Sequence, residues 1–316
     1  FKHLIYVLIG ISLIFIFSSL NSDQLYKYSI FLFFISLISL FLVPFVGVEV
    51  KGSKRWIDLF FLPRFQPIEV LKPFLIIILA TIFCDIRSNI LFKYLISIIL
   101  ISVISLLLIA QPDIGQTLLV VFCWAALIFT SGINIYILLA IFIAGASLLA
   151  YLIIYVPRFD YIQGRIFSFF NRETGTHNFQ SDKAIESITS GGFFGKGIGE
   201  GVLKNRVPEA HTDYIISVIS EEFGVVAIML ILLLFLILIY MVFKKISFET
   251  NDKVKLILIG SISLILMQAT IHIGVNIRLF PTTGMTLPFL SYGGSSIIST
   301  SILAGIILNL TKRKIL

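Results

Sequence analysis

The chain has 316 residues, of which 58% are hydrophobic and only 13% are charged, with a formal net charge of +7 and a mean hydropathy of +1.04. Soluble globular domains carry about 25% charged residues, so the composition excludes an ordinary soluble enzyme, a disordered protein and a nucleic-acid-binding domain. Apolar stretches of membrane-crossing length recur along the whole chain, which is typical of a multi-span helical membrane protein. The excess of Lys and Arg then reflects loop topology and contact with anionic membrane lipids.

Nine apolar segments predict an all-α polytopic membrane helix bundle, because a helix satisfies its own backbone hydrogen bonds inside a bilayer. We predict a single transmembrane domain over residues 1–316. The first segment lacks a clear small-residue cleavage site, so it is interpreted as a true span rather than a signal peptide. Because the chain starts at Phe1, we also expect it to be shortened at its N-terminus. The predicted spans are residues 4–20, 28–47, 67–84, 93–110, 114–130, 133–156, 213–243, 255–279 and 286–310.

The Lys and Arg residues of the short loops predict the orientation of these spans. Cytoplasmic loops carry the excess of basic residues, and one side has ten of them against five on the other. This predicts a cytoplasmic C-terminus and an extracytoplasmic segment at about 157–212, which is too long for a simple connector. The ten are Lys27, Arg87, Lys93, Lys244, Lys245, Lys253, Lys255, Lys312, Arg313 and Lys314, and the five are Lys2, Lys51, Lys54, Arg55 and Arg64.

Three ionisable residues lie at the starts of spans. Glu69 and Lys72 are three residues apart and therefore share one helix face. Because charges at membrane depth are costly, this pair is either a structural ion pair or part of a polar cavity that opens outward. Asp113 follows Pro112 and suits the first turn of a helix. It either caps that helix or is a buried carboxylate paired with a cation.

The long outer segment contains the glycine-rich stretch 191–201. It superficially resembles a phosphate-binding loop, but no strand precedes it and no Gly-Lys-Ser/Thr follows. We therefore reject a nucleotide site. We predict instead that the glycines allow an extended backbone to lie along the membrane surface.

Four carboxylates and a histidine follow within 14 residues at a membrane boundary. Asp213 lies at the outer mouth of an apolar helix, where partial desolvation would raise its pKa towards that of a general base. The alternative is that Thr212 and Asp213 only cap the helix. One or two carboxylates could also help hold Mg²⁺ or Mn²⁺ on a substrate phosphate, whereas the spacing does not suit a tight zinc site. The five residues are Glu209, His211, Asp213, Glu221 and Glu222, of which the last two are expected to satisfy internal donors.

The last two spans also carry polar features. Gln268, His272 and Asn276 recur every four residues, so they form one polar stripe that points into the bundle. Interhelical hydrogen bonds explain such a stripe more simply than a proton relay through His272. In 279–296, two prolines and three glycines break the helix, and such backbone is tolerated at membrane depth only inside protein or beside a wet cavity.

Taken together, these motifs resemble the SEDS family (shape, elongation, division and sporulation), which comprises FtsW, RodA and SpoVE, over nearly the whole chain. The residues of these motifs are more similar to those of the division member, FtsW, than to those of the elongation member, RodA. The resemblance implies ten spans, of which nine are visible here. The motifs that carry it are Val50–Ile57, Gln66–Lys72, Gln111–Gly115, Pro208–Tyr214, Glu221–Glu222 and Pro281–Ser296.

The resemblance implies a peptidoglycan glycosyltransferase that polymerises lipid II, the undecaprenyl-pyrophosphate-linked disaccharide peptide, at the outer face of the plasma membrane. Asp213 matches the essential aspartate of the family. Its partners would be a class B penicillin-binding transpeptidase and other proteins of the division machinery. The expected substrate-binding residues are Glu69, Lys72, Lys54, Arg55, Gln66, Lys196, His211, Thr212, Ser291 and Ser295; the expected structural polar residues are Asp113, Glu209, Glu221, Glu222, Gln268 and His272.

Two other functions remain open. A transporter could move lipid II between leaflets through the same polar cavity, although transport predicts ionisable groups near the midplane, and here they lie mostly at the outer end. A non-catalytic scaffold could recruit division proteins through its spans. A scaffold, however, has no need of carboxylates at helix mouths.

Overall fold

The computed structural model describes residues 2–50, 53–59, 62–87, 89–170 and 176–312. Of the basic residues used to predict orientation, Lys51, Arg313 and Lys314 lie outside these ranges. The described residues form eleven α-helices and three short strands. The helices are α1 (Lys2–Ser19), α2 (Ser22–Val46), α3 (Pro67–Cys84), α4 (Ile90–Ala110), α5 (Ile114–Thr130), α6 (Ile135–Tyr155), α7 (Asp160–Phe170), α8 (Thr176–Gly191), α9 (Ile215–Phe248), α10 (Asp252–Asn276) and α11 (Gly294–Thr311).

Nine of the described helices coincide with the nine predicted spans, which confirms a polytopic helical membrane fold. Seven are long and apolar enough to cross a bilayer, and α1 and α5 are slightly shorter apolar helices. The prediction was wrong at the start of the last span, since α11 begins at Gly294 rather than at residue 286. The helix cannot start earlier because Phe289 has a left-handed backbone (φ 67°) and Gly293 is extended.

The structure divides into two compact units, of which the first comprises 1–131, 237–268 and 288–316. Its central helix is α3, which is buried over most of its length and packs against α2, α4, α5 and α11. Helix α1 packs on α11. The Asn309 side chain donates hydrogen bonds to the carbonyls of Phe17 (2.9 Å) and Leu20 (2.6 Å), which satisfies carbonyls at the C-terminal end of α1 that have no intrahelical partner.

An antiparallel sheet, absent from our sequence prediction, lies between α2 and α3 in the first unit. Its strands follow the order β1-β2-β3. Side chains alternate along β2, where Lys54 and Asp58 are exposed and Ile57 is buried, as expected for a sheet with one covered face. The sheet fixes Arg55 beside the start of α5. The strands are β1 (Val48–Val50), β2 (Ser53–Leu59) and β3 (Leu62–Phe65).

The second unit comprises 132–236 and 269–287. It contains α6, almost wholly exposed on the outside of the protein, as expected for a helix that faces lipid. The predicted outer segment is largely helical, since it contains α7 and α8. Two single 3₁₀ turns, Pro157–Phe159 and Leu203–Arg206, complete it. A small apolar core joins the segment to α9 and α10 through Ala184, Val207, Ala210, Tyr214, Val218 and Val275.

Helix α9 is broken at Gly224, whose backbone (φ 74°, ψ −173°) is not helical. The glycine-rich stretch folds onto this break. Its glycines at 192, 195, 197 and 199 have positive φ, so it is a series of turns and the predicted extended backbone was wrong. Two of its N–H groups reach carbonyls before the break, and two of its carbonyls accept from N–H groups after it. The bonds are Lys196 N to Glu221 O (2.9 Å), Gly197 N to Glu222 O (3.0 Å), Val225 N to Gly192 O (3.0 Å) and Val226 N to Phe193 O (3.3 Å).

We expect the Gly224→Ala substitution to destabilise the protein by several kcal/mol. The backbone of Gly224 lies in a region that only glycine occupies readily, with strain of about 1–3 kcal/mol for other residues. An added methyl group would also collide with the backbone of Phe193. Thermal unfolding in detergent measures the loss. The control is Gly192→Ala, which also has positive φ but meets no atom within 4 Å; equal losses for both variants would contradict the steric explanation.

Candidate functional site

Asp213 lies in a tight turn immediately before α9. Glu209 has a left-handed backbone (φ 57°), and its carbonyl accepts hydrogen bonds from the N–H groups of Thr212 (3.1 Å), Asp213 (3.1 Å) and Tyr214 (3.3 Å). Tyr214, at the end of the turn, is buried, and its hydroxyl lies 3.4 Å from Ser181 Oγ. Asp213 itself is half-buried. The sequence therefore places this carboxylate on a rigid turn at the mouth of an apolar helix.

Asn276, at the end of α10, fixes the backbone of Asp213. Its amide donates to the carbonyl of Asp213 (3.0 Å) and to the carbonyl of His272 (2.8 Å). Asn276 is fully buried, so these bonds are shielded from water. They tie the turn before α9 to the last turn of α10 and so hold the backbone that carries the Asp213 carboxylate.

The non-helical segment that follows α10 lies beside the Asp213 carboxylate. Gly284 has a left-handed backbone (φ 72°), and a methyl group added to it would lie 3.6 Å from Asp213 Oδ2. Two other residues hold this segment in place. His272 Nδ1 donates to the carbonyl of Met285 (2.7 Å), and Arg165 of α7 donates to the carbonyl of Thr282 (3.2 Å). The surface next to the carboxylate is thus glycine backbone, which a substrate can approach closely.

Polar groups without protein partners accompany this arrangement. Among the described residues, His272 Nε2, Asn276 Oδ1 and Thr283 Oγ1 are buried and make no hydrogen bond. Buried polar atoms are nearly always satisfied, and leaving one unmade costs about 1–3 kcal/mol. Two of these atoms lie on α10 and the third lies on the segment after it, which are the two elements beside the turn of Asp213.

Arg165 supplies a positive charge in the same region. The Asp213 carboxylate and the Arg165 guanidinium both lie close enough to the Tyr214 hydroxyl to act on it electrostatically. Sequence reasoning missed Arg165, because nothing in the sequence of α7 indicates a contact with Thr282, 117 positions away. The available signal was only that α7 is amphipathic and carries a cation in the predicted outer segment.

Glu221 and Glu222, before the break in α9, satisfy internal donors as predicted. Glu221 is completely buried and accepts from Ser187 Oγ (3.0 Å) and from the backbone N–H groups of Leu203 (2.9 Å) and Lys204 (2.6 Å). Glu222 accepts from the Lys204 ammonium. The two carboxylates therefore hold the 3₁₀ turn and the glycine-rich stretch against α9, and both are occupied by these contacts.

Three further residues of the outer segment were predicted to bind substrate. Lys196 Nζ lies 3.7 Å from Glu221 Oε1 and remains partly exposed. His211 is exposed, two residues before Asp213. Thr212 donates from its hydroxyl to the Glu209 carboxylate (3.0 Å). The structure places all of these residues in the same unit as Asp213, and substrate contact by Lys196, His211 and Thr212 stays a prediction.

A separate polar group occupies the first unit, around the N-terminal half of α3. Lys72 Nζ lies 3.0 Å from Glu69 Oε1, and both side chains are almost completely buried. Gln116 of α5 bridges them, accepting from Lys72 (3.0 Å) and donating to Glu69 (2.6 Å). The structure therefore shows the ion pair that was one of the two explanations offered by the sequence. Because neither charge is open to solvent, a part for this pair in substrate binding stays a prediction.

Asp113 combines both functions that the sequence left open. It caps α5 by accepting from Gln116 N (3.4 Å), and it lies 3.7 Å from the Arg55 guanidinium. Gln66 donates from its side chain to Asp113 (2.8 Å) and from its backbone to Ser295 Oγ (3.0 Å). Burial raises the pKa of the Asp113 carboxyl above its ordinary value, and Arg55 opposes part of this rise.

The remaining predicted residues of the first unit differ in exposure. Lys54 is exposed on β2. Ser291 is buried before α11, and Gln268 donates to Ser296 Oγ (3.4 Å), which supports a structural part for Gln268. The structure thus gathers Arg55, Gln66, Glu69, Lys72, Asp113 and Ser295 in one unit and the residues around Asp213 in the other.

The structure assigns no residues to a resident metal ion. Within the residues that it describes, there is no group of three or more His, Cys, Asp or Glu side chains that could hold one. The carboxylates nearest to Asp213 in sequence are occupied by Thr212, Lys204 and backbone donors.

Comparison with known proteins identifies the family. The FtsW/RodA/SpoVE family, described as "Cell cycle protein", matches residues 1–315. The "probable peptidoglycan glycosyltransferase FtsW" of Caulobacter vibrioides is 33% identical over 94% of this chain and 75% of that protein. The protein of the same name from Coxiella burnetii is 33% identical over 98% of this chain and 85% of its own length.

Solved structures agree with this. A chain from a structure described as "Structural coordination of polymerization and crosslinking by a peptidoglycan synthase complex" superimposes with a TM-score of 0.82 and 27% identity, covering 98% of this chain and 88% of that one. The rod shape determining protein RodA of Thermus thermophilus gives a TM-score of 0.72 and 28% identity over 98% of this chain and 86% of its own. This chain therefore belongs to the FtsW/RodA/SpoVE family of cell cycle proteins.

Proposed function

We propose that this protein is a peptidoglycan glycosyltransferase that polymerises lipid II into glycan strands during septal cell-wall synthesis. The observation that carries the proposal is the position of Asp213, held by Glu209 and Asn276 at the mouth of α9 and beside the backbone of Gly284. Relatives at 33% identity that carry the name of this activity support it.

In the proposed reaction, Asp213 is the general base. Its carboxylate takes the proton from the 4-hydroxyl of the acceptor sugar, and that oxygen forms a bond to the anomeric carbon of the growing chain. The bond from this carbon to the lipid pyrophosphate breaks, the pyrophosphate leaves with the electron pair, and the configuration inverts. Inverting sugar transfer needs such a base and stabilisation of the leaving group. General-base assistance contributes about 10²–10⁴-fold.

The position of Asp213 relative to the lipid-facing part of α9 suits a lipid-linked substrate. The apolar run of α9 begins within about three turns of Asp213, so the carboxylate lies near the boundary between membrane and water. A substrate whose polyprenyl chain remains in the bilayer presents its sugars and pyrophosphate at this boundary. We place the site at the outer face of the bacterial plasma membrane, with the C-terminus in the cytoplasm.

The leaving pyrophosphate is polyanionic and requires positive charge in the transition state. Arg165 is the cation that the structure places beside the segment containing Gly284, and we assign it to this task. Mg²⁺ or Mn²⁺ that enters with the pyrophosphate is a further prediction, which chelation with EDTA during the assay tests.

We expect the Arg165→Gln substitution to lower polymerisation by roughly tenfold or more, because hydrogen bonds to charged groups contribute about 1.5–3 kcal/mol. Arg165→Lys should recover part of the activity, since it retains the charge. The initial rate of glycan formation measures both variants. The control is Arg206→Gln, which removes an exposed cation of the same outer segment; an equal loss in this control would show that general charge, rather than Arg165, matters.

We further propose that the protein works with a class B penicillin-binding transpeptidase and other proteins of the division machinery at the septum. The similarity to a chain from a peptidoglycan synthase complex supports a partnership of this kind.

The deciding experiment uses the full chain with its penicillin-binding partner, reconstituted with lipid II and Mg²⁺ or Mn²⁺. Glycan chains on a gel support the proposal. Exchange of labelled lipid II between leaflets without polymer would indicate a transporter, and a folded complex that does neither would indicate a scaffold.

A further inference from the structure

The glycine-rich stretch presents apolar side chains outward instead of burying them. Large apolar side chains that cluster on a surface mark contact with a partner or a membrane. Those of this stretch are Phe193 (75% exposed), Phe194 (84%) and Ile198 (79%), and the exposed Val202 (61%) follows it directly.

The backbone of this stretch fixes its depth relative to α9. The carbonyls of Gly192 and Phe193 accept hydrogen bonds from the N–H groups of Val225 and Val226. Both valines are exposed, and the apolar run of α9 begins with them. Of the most apolar part of this helix, only 6% is buried inside the protein. A surface of this kind is covered by lipid in a membrane protein. Phe193 and the adjacent Phe194 therefore lie at the level of the first lipid-facing turn.

Charge is distributed as expected at a membrane boundary. Lys196 lies between the two aromatic residues and Ile198, and its ammonium is partly exposed while it faces Glu221. Lysine side chains at such positions extend their charge to the lipid head groups and leave their methylenes in the apolar layer. Aromatic and aliphatic residues interleaved with lysine are the usual composition of a segment that lies in the membrane interface.

We propose that residues 192–202 form a membrane anchor, in which Phe193 and Phe194 enter the boundary between the head groups and acyl chains of the bilayer that α9 spans. The occupant of this apolar surface is therefore lipid, because the surface continues the lipid-facing surface of α9. Glu221 of α9 accepts hydrogen bonds from the backbone N–H groups of Leu203 and Lys204. The part of the outer segment that follows the anchor is therefore also held close to the membrane. The proposal does not depend on the proposed enzymatic activity.

The test measures the depth of single nitroxide labels in the full-length protein reconstituted into nanodiscs without partner proteins. The background carries Cys84→Ser and Cys123→Ala, which remove the free thiols. Labels are placed by Phe194→Cys and, as a second site on the stretch, Ile198→Cys. The lipid reference is Met229→Cys on the exposed face of α9, and the water reference is Glu186→Cys on the exposed face of α8.

Power saturation compares collisions with oxygen, which concentrates in lipid, and with a water-soluble nickel chelate. We expect the depth parameters at 194 and 198 to shift towards that of Met229 and away from that of Glu186. Values equal to that of Glu186 would overturn the proposal, since the stretch would then project into water. Low accessibility to both reagents would also overturn it, because the surface would then be covered by protein, such as a second copy of the chain.

Discussion

We expect the Asp213→Asn substitution to abolish detectable glycan polymerisation while the fold is preserved. Asparagine has the size and planar shape of aspartate, but its neutral amide cannot take the proton from the acceptor hydroxyl. Loss of general-base assistance lowers the rate by about 10²–10⁴-fold. The turn itself should persist, because the substitution leaves unchanged the backbone hydrogen bonds that the Glu209 carbonyl accepts from Thr212, Asp213 and Tyr214. Glycan chains on a gel measure the activity, and the melting temperature in detergent reports the fold.

The matched control for this experiment is Asp252→Asn. Asp252 is an exposed aspartate of the first unit, whose side chain is 79% exposed and paired with Lys255 of the same helix. It should polymerise lipid II at the normal rate. Full activity of a well-folded Asp213→Asn variant would reject Asp213 as the base and would leave the family assignment, which rests on other observations, intact.

The second large effect concerns stability. Removing one partner of the buried Glu69–Lys72 pair, by Lys72→Met or Glu69→Gln, should destabilise the protein by about 3–5 kcal/mol, because it leaves an uncompensated charge inside the bundle. The double variant should be more stable than either single variant, since it removes both charges, and glutamine can still accept from Gln116 at the position of Glu69. Thermal unfolding of the four proteins in one detergent measures the coupling.

An exposed pair with the same spacing provides the comparison. Lys255 and Asp252 also lie three residues apart in a helix, at 3.1 Å, but in contact with solvent, and such pairs contribute about 0–1 kcal/mol. Breaking this pair should therefore change stability little. If Lys72→Met instead leaves stability unchanged and only weakens lipid II binding, then Lys72 contacts substrate, and the structural explanation of the pair is wrong.

The sequence was sufficient for features that depend on local periodicity or on hydrophobic length. The thickness of a bilayer dictates how many apolar residues a span needs, so nine helices could be located from composition alone. The Glu69–Lys72 pair followed from helix geometry, and the cap formed by Asp113 from its place before α5. These predictions required no knowledge of how the helices pack.

Features that depend on distant contacts could not be predicted in this way. The strands β1 to β3 are short, and their pairing stabilises them more than any local signal indicates. The glycine-rich stretch was interpreted as extended because its partners, the free carbonyls of Glu221 and Glu222, appear only when α9 breaks at Gly224. Arg165 became a candidate only through its contact with Thr282.

The break in α9 also bears on how this protein is made. In lipid, each unpaired backbone group costs several kcal/mol. The break at Gly224 leaves two carbonyls and two N–H groups of α9 without helical partners, and the glycine-rich stretch satisfies them. That stretch ends 14 residues before the first residue of α9, so it is synthesised before α9 enters the bilayer. Insertion of α9 and docking of this stretch are consequently one coupled event during biogenesis, and a defect in the stretch would be met first by the quality control of membrane insertion.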